Sequence, residues 1–291
     1  MSGGIAVQEA AASRVIPIGL ELGGKDPAYV RPDVNLAWAA ENIVDGAIFN
    51  SGQSCCSIER VYVHESVHDD FLREVVKVLE GYKLGDPLDK STQIGPVVSA
   101  KSAKTISEHI TDAEDKGAIN LTPELVFAEG VRLGETFVRP ELLAQCDHSM
   151  RIMTEETFGP IIPVMKVSSD EEAVKLMNDS HFGLTASIWT KDTETGERLV
   201  EQVEAGTVFV NRCDYPSPVC PRSLFPITLL FGGFLRLYYL YCCKSYFVAK
   251  TMFRFLDNSP FSIDASETSS TFGSNVKTVG FIVLWNPPFS L

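Results

Sequence analysis

The chain has 291 residues, enough for one large domain or two small ones, with ordinary hydrophobicity and a formal net charge of −13. So acidic a chain, lacking any basic stripe, excludes nucleic acid as a natural partner and does not suit an anionic membrane surface. Seven cysteines at irregular spacing, with no CxxC pair, exclude a secreted disulfide framework and a structural zinc; no metal site is expected.

Met1 to Ala12 lacks the basic start and long apolar core of a signal peptide, so a reducing, cytoplasmic setting is expected. Residues 4–14 read as the end of a helix. Val15 to Leu22 is a short apolar run closed by Gly23-Gly24, which predicts a buried strand and turn. A helix follows, opened by Pro32-Asp33 with Asp33 as its cap. Leu36, Ala40, Ile43, Val44, Ala47 and Ile48 fall on one face of it. Arg60 to His64 reads as a strand and Ser66 to Tyr82 as a helix. After a loop through Gly85 to Pro96, Ser99 to Lys116 is helical. Thr136 to Val138 and Ile161 to Val167 are strand candidates. Asp170 to Asn178 reads as a helix, Leu184 to Trp189 as a strand, Thr195 to Glu204 as a helix and Thr207 to Asn211 as a strand. This alternation predicts an α/β fold with a largely parallel sheet and flanking helices.

The composition changes near Pro218. Residues 219–291 hold 15 of the chain's 28 aromatic residues, and six Lys or Arg against three Asp or Glu. Leu224 to Cys243 is long and apolar enough to span a bilayer, but Pro226, two glycines and a central Arg236 speak against it. The tail reads as a poorly ordered extension, with the aromatic richness of translated non-coding sequence or an altered reading frame.

Two segments carry chemistry. Cys55 sits in a small-residue turn, Gly52 to Ser57, just after an apolar helix. Such a turn leaves backbone N–H groups that favour a thiolate and hold an oxyanion. Glu21 ends the apolar run, where a carboxylate at the end of a buried strand takes a raised pKa and suits a general base. Taken singly, Cys55 reads more readily as a small buried hydrophobe and Glu21 as a solvated or hydrogen-bonded acid. Adjacent Cys56 leaves open which sulfur reacts. His64 and His68 would suit a Cys–His hydrolase, but both are expected near the start of a surface helix.

Leu20-Glu21-Leu22-Gly23-Gly24-Lys25 resembles the glutamate motif of the aldehyde dehydrogenase superfamily, and Phe49, Gly52, Gln53 and Cys55 match its cysteine motif. Glu155-Glu156-Thr157-Phe158-Gly159-Pro160 resembles a third. Further matches are Lys83 to Pro87, Gly95-Pro96, Phe182 to Ala186 and Gly206 to Asn211, so the likeness spans roughly residues 4–218. It implies that Cys55 is the nucleophile, Glu21 the base, and Glu156 and Phe158 the partners of the nicotinamide end of NAD or NADP. Leu22 is implied to touch the nicotinamide through its backbone. The implied reaction oxidises a small-molecule aldehyde to an acid through a thiohemiacetal and a thioester.

The implied organisation is a remnant of a dinucleotide-binding domain (1–24), a catalytic domain (25–218) and a tail outside the family (219–291). The segment that holds the cofactor phosphates is matched only at Gly4, so weak or absent dehydrogenase turnover is expected. Three other readings follow: an inactive fragment, a binding partner in an oligomer with family subunits, and a cofactor-free thiol esterase built on Cys55 and Glu21.

Overall fold

The computed structural model describes residues 2–16 and 18–213; the boundary near Pro218, the Leu224 to Cys243 run and the rest of the tail lie outside them. The elements in chain order are α1 (Ser2–Ala11), β1 (Asp26–Val30), α2 (Leu36–Ile48), β2 (Ile58–His64), α3 (His68–Glu80), α4 (Ala100–Asp115), β3 (Ile119–Asn120), α5 (Ala128–Val131), β4 (Glu141–Ala144), α6 (Arg151–Thr154), β5 (Ile161–Val167), α7 (Asp170–Asn178), β6 (Thr185–Trp189), α8 (Thr193–Val200) and β7 (Thr207–Val210).

The strands form one seven-stranded sheet in the order β3-β4-β5-β2-β1-β6-β7. Every neighbouring pair is parallel except β3 with β4. The fold is therefore the expected α/β type. Successive side chains of a strand point to opposite faces, and β2 shows the result. Val61 and Val63 enter a core shared with Ile43 and Ala47 of α2 and Phe71 and Val75 of α3. Tyr62 enters a second core with Ile106 of α4, Met177 of α7 and Leu199 of α8. Burying a side chain such as Ile43 or Phe71 contributes roughly 1.5–3 kcal/mol.

Helix starts follow local chemistry. Ser99 Oγ accepts the Ser102 N–H at 3.1 Å, and Ser169 Oγ accepts the Glu172 N–H at 3.2 Å. Glu172 reaches back to the N–H of Ser168, the residue before the cap, at 2.7 Å, which reinforces this helix start. The cap of α2 differs from the expectation: Asn35 Oδ1, not Asp33, accepts the Trp38 N–H at 3.3 Å. Asp33 instead accepts the N–H groups of Lys191 and Asp192, both at 2.8 Å, tying the loop after β1 to the end of β6.

Two expected strands are absent. The described residues between Val15 and Leu22 have no regular structure, and Val15, Ile16, Ile18 and Leu20 are exposed. The strand begins later, at Asp26, because that segment finds ladder partners on both sides, β2 and β6. All five residues of β1 are buried, as suits a central parallel strand. Its proline, which cannot donate to a ladder, sits where the register with β2 shifts, between Asp26 and Pro27. Thr136 to Val138 is likewise irregular, and β4 forms a few residues later, where Glu141 to Leu143 pair with Ile161 to Pro163.

Candidate active site

Strands β5, β2 and β1 are consecutive and parallel, so the segments that lead into them share one edge of the sheet. Glu156 to Phe158 precede β5, Cys55 precedes β2, and Glu21 to Lys25 precede β1. Three stretches far apart in sequence thus meet because of strand order. The segments Phe182 to Leu184 and Gly206 reach the same edge before β6 and β7.

The meeting is at contact distance. A methyl group on Gly24 would lie 2.5 Å from the Cys55 carbonyl oxygen, so only glycine lets the first segment approach the cysteine turn this closely. The Gly24 N–H donates to Glu156 Oε1 at 3.2 Å. Burial, and then the charge of Glu59, raise the Glu156 carboxyl above its ordinary pKa. Gly52 has φ of 70°, and a methyl there would collide with the Gly159 backbone of the third segment.

The cysteine loop is held from outside. Asn50 and Ser51 both adopt the left-handed region, with φ of 52° and 59°. Residues with a Cβ hold such conformations at a cost of about 1–3 kcal/mol each, so the surroundings must impose them. Ser51 Oγ donates to the Gly95 carbonyl at 2.8 Å, and the Val98 N–H donates to Gln53 Oε1 at 2.7 Å. The Gly95-Pro96 loop is therefore the brace of the cysteine turn. The turn itself closes through Ser57 N–H to the Ser54 carbonyl at 3.1 Å, with Cys55 and Cys56 at its tip. Cys55 is exposed and Cys56 half-buried.

Glu21 is exposed in the irregular segment ahead of β1, not at the end of a buried strand, because that strand starts only at Asp26. Leu22 is half-buried and lies over α1, where a methyl on Gly4 would meet its Cδ2 at 3.1 Å. Phe158 has φ of 53° and is 38% exposed, so its side chain is open to solvent at this edge. His68 is buried at the start of α3, contrary to its expected surface place, with Nδ1 2.7 Å from Asp69. His64 Nδ1 lies 2.9 Å from Ser66 Oγ, so both imidazoles are engaged locally rather than with Cys55.

Sequence reasoning missed Glu59. Its carboxylate is buried, lies 2.7 Å from the Lys25 ammonium, and accepts the N–H groups of Thr157 at 2.7 Å and Phe158 at 2.9 Å. Lys25 also donates to Thr157 Oγ1 at 3.1 Å, and His109 Nδ1 lies 3.2 Å from the same hydroxyl. Burial draws the Lys25 ammonium below its ordinary pKa against the pull of Glu59, and also draws His109 down. Arg60 is buried beside them, donating to the carbonyls of Lys25 at 2.8 Å and Met177 at 3.1 Å. The signal for this network was the pair Glu59-Arg60 at the mouth of an apolar strand, since charges enter a core only when paired.

A carboxylate at Glu156 accepts hydrogen bonds, as a ribose hydroxyl requires, and an open aromatic ring at Phe158 offers an apolar face beside it. These residues fit the nicotinamide end. Among the described residues no group of three or more His, Cys, Asp or Glu is placed to hold a metal, and no helix is long and apolar enough to cross a membrane.

A sequence profile of the aldehyde dehydrogenase family matches residues 2–222. Aminoaldehyde dehydrogenase 1, peroxisomal, of Pisum sativum is 39% identical over 214 residues, which are 74% of this chain and 42% of that protein. Betaine aldehyde dehydrogenase of Bacillus subtilis (strain 168) is 34% identical over 205 residues, covering 70% of this chain and 42% of its own length. Among solved structures, NADP-dependent glyceraldehyde-3-phosphate dehydrogenase from Bacillus halodurans C-125, complexed with NADP, superposes with a TM-score of 0.69 at 37% identity, covering 75% of this chain and 44% of that one. Betaine aldehyde dehydrogenase from Staphylococcus aureus in complex with NAD+ gives 0.67 at 31% identity, covering 74% and 42%. The chain spans less than half the length of these relatives. With the family profile covering most of the chain and its motifs gathered at one sheet edge, the chain belongs to the aldehyde dehydrogenase family, a family of NAD(P)-dependent oxidoreductases.

Proposed function

We propose that this chain carries the catalytic portion of an aldehyde dehydrogenase, oxidising a small aldehyde to a carboxylic acid. The observation that carries this is the junction at Gly24, which touches the Cys55 carbonyl and donates to Glu156. The exposed Cys55 sulfur adds to the aldehyde carbon, and N–H groups of the turn stabilise the oxyanion. Glu156 and Phe158, with the Leu22 backbone, would hold the nicotinamide end of NAD or NADP, which would supply the hydride acceptor. Glu21, exposed to water, then takes a proton from the water that cleaves the Cys55 thioester and frees the thiol.

Purified chain incubated with NAD or NADP and a panel of aldehydes, including aminoaldehydes and betaine aldehyde, tests this reading. The expected result is slow formation of reduced nicotinamide that disappears in Cys55→Ala. A folded chain that forms none with any aldehyde overturns it. A cytoplasmic location belongs to the same proposal, since a reducing compartment keeps Cys55 as a thiol.

A second reading is favoured by the apolar side chains exposed on α1 and the segment after it: Ile5, Val7, Val15, Ile16, Ile18 and Leu20. Apolar surface gathered in this way marks an association site. The occupant proposed here is another polypeptide of the family. Sedimentation with and without a full-length family member checks it, and unchanged sedimentation of both rejects it.

A further inference from the structure

We infer that Cys55 and Cys56 form a chelating dithiol that takes a soft trivalent metalloid centre, for which phenylarsonous acid is the simplest probe. The two sulfurs stand 3.6 Å apart at the tip of the Ser54 to Ser57 turn. A trivalent centre with a lone pair is pyramidal, with angles from about 95° up to nearly tetrahedral, so bonds of about 2.3 Å, the length of a zinc–thiolate bond, hold the sulfurs about 3.4–3.7 Å apart. The pair therefore needs almost no movement to close on such a centre.

A direct disulfide suits the turn less well. Neighbours across a trans peptide have Cα atoms about 3.8 Å apart, closer than the roughly 4.4–6.8 Å that disulfides adopt, and the sulfurs would have to close to about 2.05 Å. A bridging atom fits the gap as it stands. Thiolates select soft acceptors. Zinc is excluded here by its need for four ligands, since the described residues hold no third His, Cys, Asp or Glu placed with the pair. An arylarsonous acid brings its own third substituent. Each thiol displaces one of its hydroxyl groups, an As–S bond replaces each As–O bond, and both thiol protons leave in two molecules of water. Arsenic keeps its oxidation state, so no oxidant or reductant takes part.

Tethering the second thiol to the first raises its effective concentration, so the chelate is expected to hold at least about 10²-fold more tightly than a single-thiol adduct. Occupation also removes the nucleophile of the proposed oxidation. The dithiol itself stands whether or not the chain turns over an aldehyde.

The chain has a second adjacent pair, Cys242-Cys243, outside the described residues, so the test must separate the two. Full-length chain is treated with phenylarsonous acid in excess glutathione, alkylated with iodoacetamide and mapped by mass spectrometry, alongside a Cys242→Ser/Cys243→Ser chain. In that double variant one phenylarsenic group is expected per chain, on the peptide holding Cys55 and Cys56, with both sulfurs protected from alkylation. It should survive glutathione and leave on addition of 2,3-dimercaptopropanol. Adding Cys56→Ser should lower retention in glutathione by about 10²-fold or more. Protection of only one sulfur, an adduct mapped to other cysteines, or equal retention without Cys56 overturns the inference. The mapping needs no Cys56 variant, so a folding defect in that variant leaves it decisive.

Discussion

One oxygen of Glu59 lies 2.7 Å from the Lys25 ammonium and also accepts the Thr157 N–H at 2.7 Å. The other oxygen accepts the Phe158 N–H at 2.9 Å. A single buried carboxylate thus ties the glutamate segment to the nicotinamide-end segment, four residues beyond Cys55 on the strand between them. Removing it leaves a buried ammonium, a buried N–H and a partly buried N–H without this acceptor. Glu59→Ala is expected to lower stability by about 3–5 kcal/mol, the usual cost of breaking a buried ion pair from one side. Urea denaturation checks this, and a loss within about 0.5 kcal/mol, as for an ordinary surface change, would show that the carboxylate is not the tie described.

Gly52 and Gly117 both have positive φ, 70° and 102°, but differ in their surroundings. A methyl on Gly52 meets the Gly159 backbone, whereas one on Gly117 meets nothing within 4 Å. Gly117→Ala is expected to cost only the backbone term, about 1–2 kcal/mol. Gly52→Ala adds overpacking of about 1–3 kcal/mol. Denaturant midpoints of the two variants, measured side by side, should rank Gly52→Ala as clearly the worse; equal midpoints refute the close approach.

Asp26 is buried at the start of β1, with Oδ2 accepting the Thr185 hydroxyl at 2.6 Å and Oδ1 unpartnered among the described residues. Burial pushes its carboxyl from 3.8 up to about 8. Between those values the unfolded chain has ionised this group while the folded chain keeps it protonated. The folded state therefore binds more protons, and stability from this group falls as pH rises across the interval, by about 1.4 kcal/mol per pH unit. Asp26→Asn keeps an acceptor for Thr185 and removes the titration. The difference in unfolding free energy between variant and parent should grow in the variant's favour from pH 4 to 8 and then level. A difference independent of pH would count against a buried, protonated Asp26.

Cys55 is exposed, while Cys146 is buried and its thiol is pushed up to about 12, mainly by burial. Brief iodoacetamide treatment of the native chain should label Cys55 and spare Cys146, and treatment in denaturant should label both. Peptide mapping reads the outcome. Early labelling of Cys146, or a native Cys55 that stays unmodified, contradicts the placement of the two thiols.

The sequence by itself determined the elements whose signals are local. Helix α7 runs from Asp170 to Asn178 as predicted, because Ser169 caps it, three acids fill its first turn and Ala173, Val174 and Met177 share a face. Strands β2 and β5 were legible from β-branched and aromatic runs, and Cys55 stood out in its small-residue turn. Tertiary structure alone decided the rest. The apolar run Val15 to Leu22 looks more strand-like than Asp26 to Val30, yet the second is the strand, because a strand exists only where neighbours supply its hydrogen bonds. That same displacement left Glu21 exposed. Glu59 could be recognised as an anomaly in the sequence but not as a tie, because its partners, Lys25, Thr157 and Phe158, come from remote segments that only the strand order β5-β2-β1 brings together.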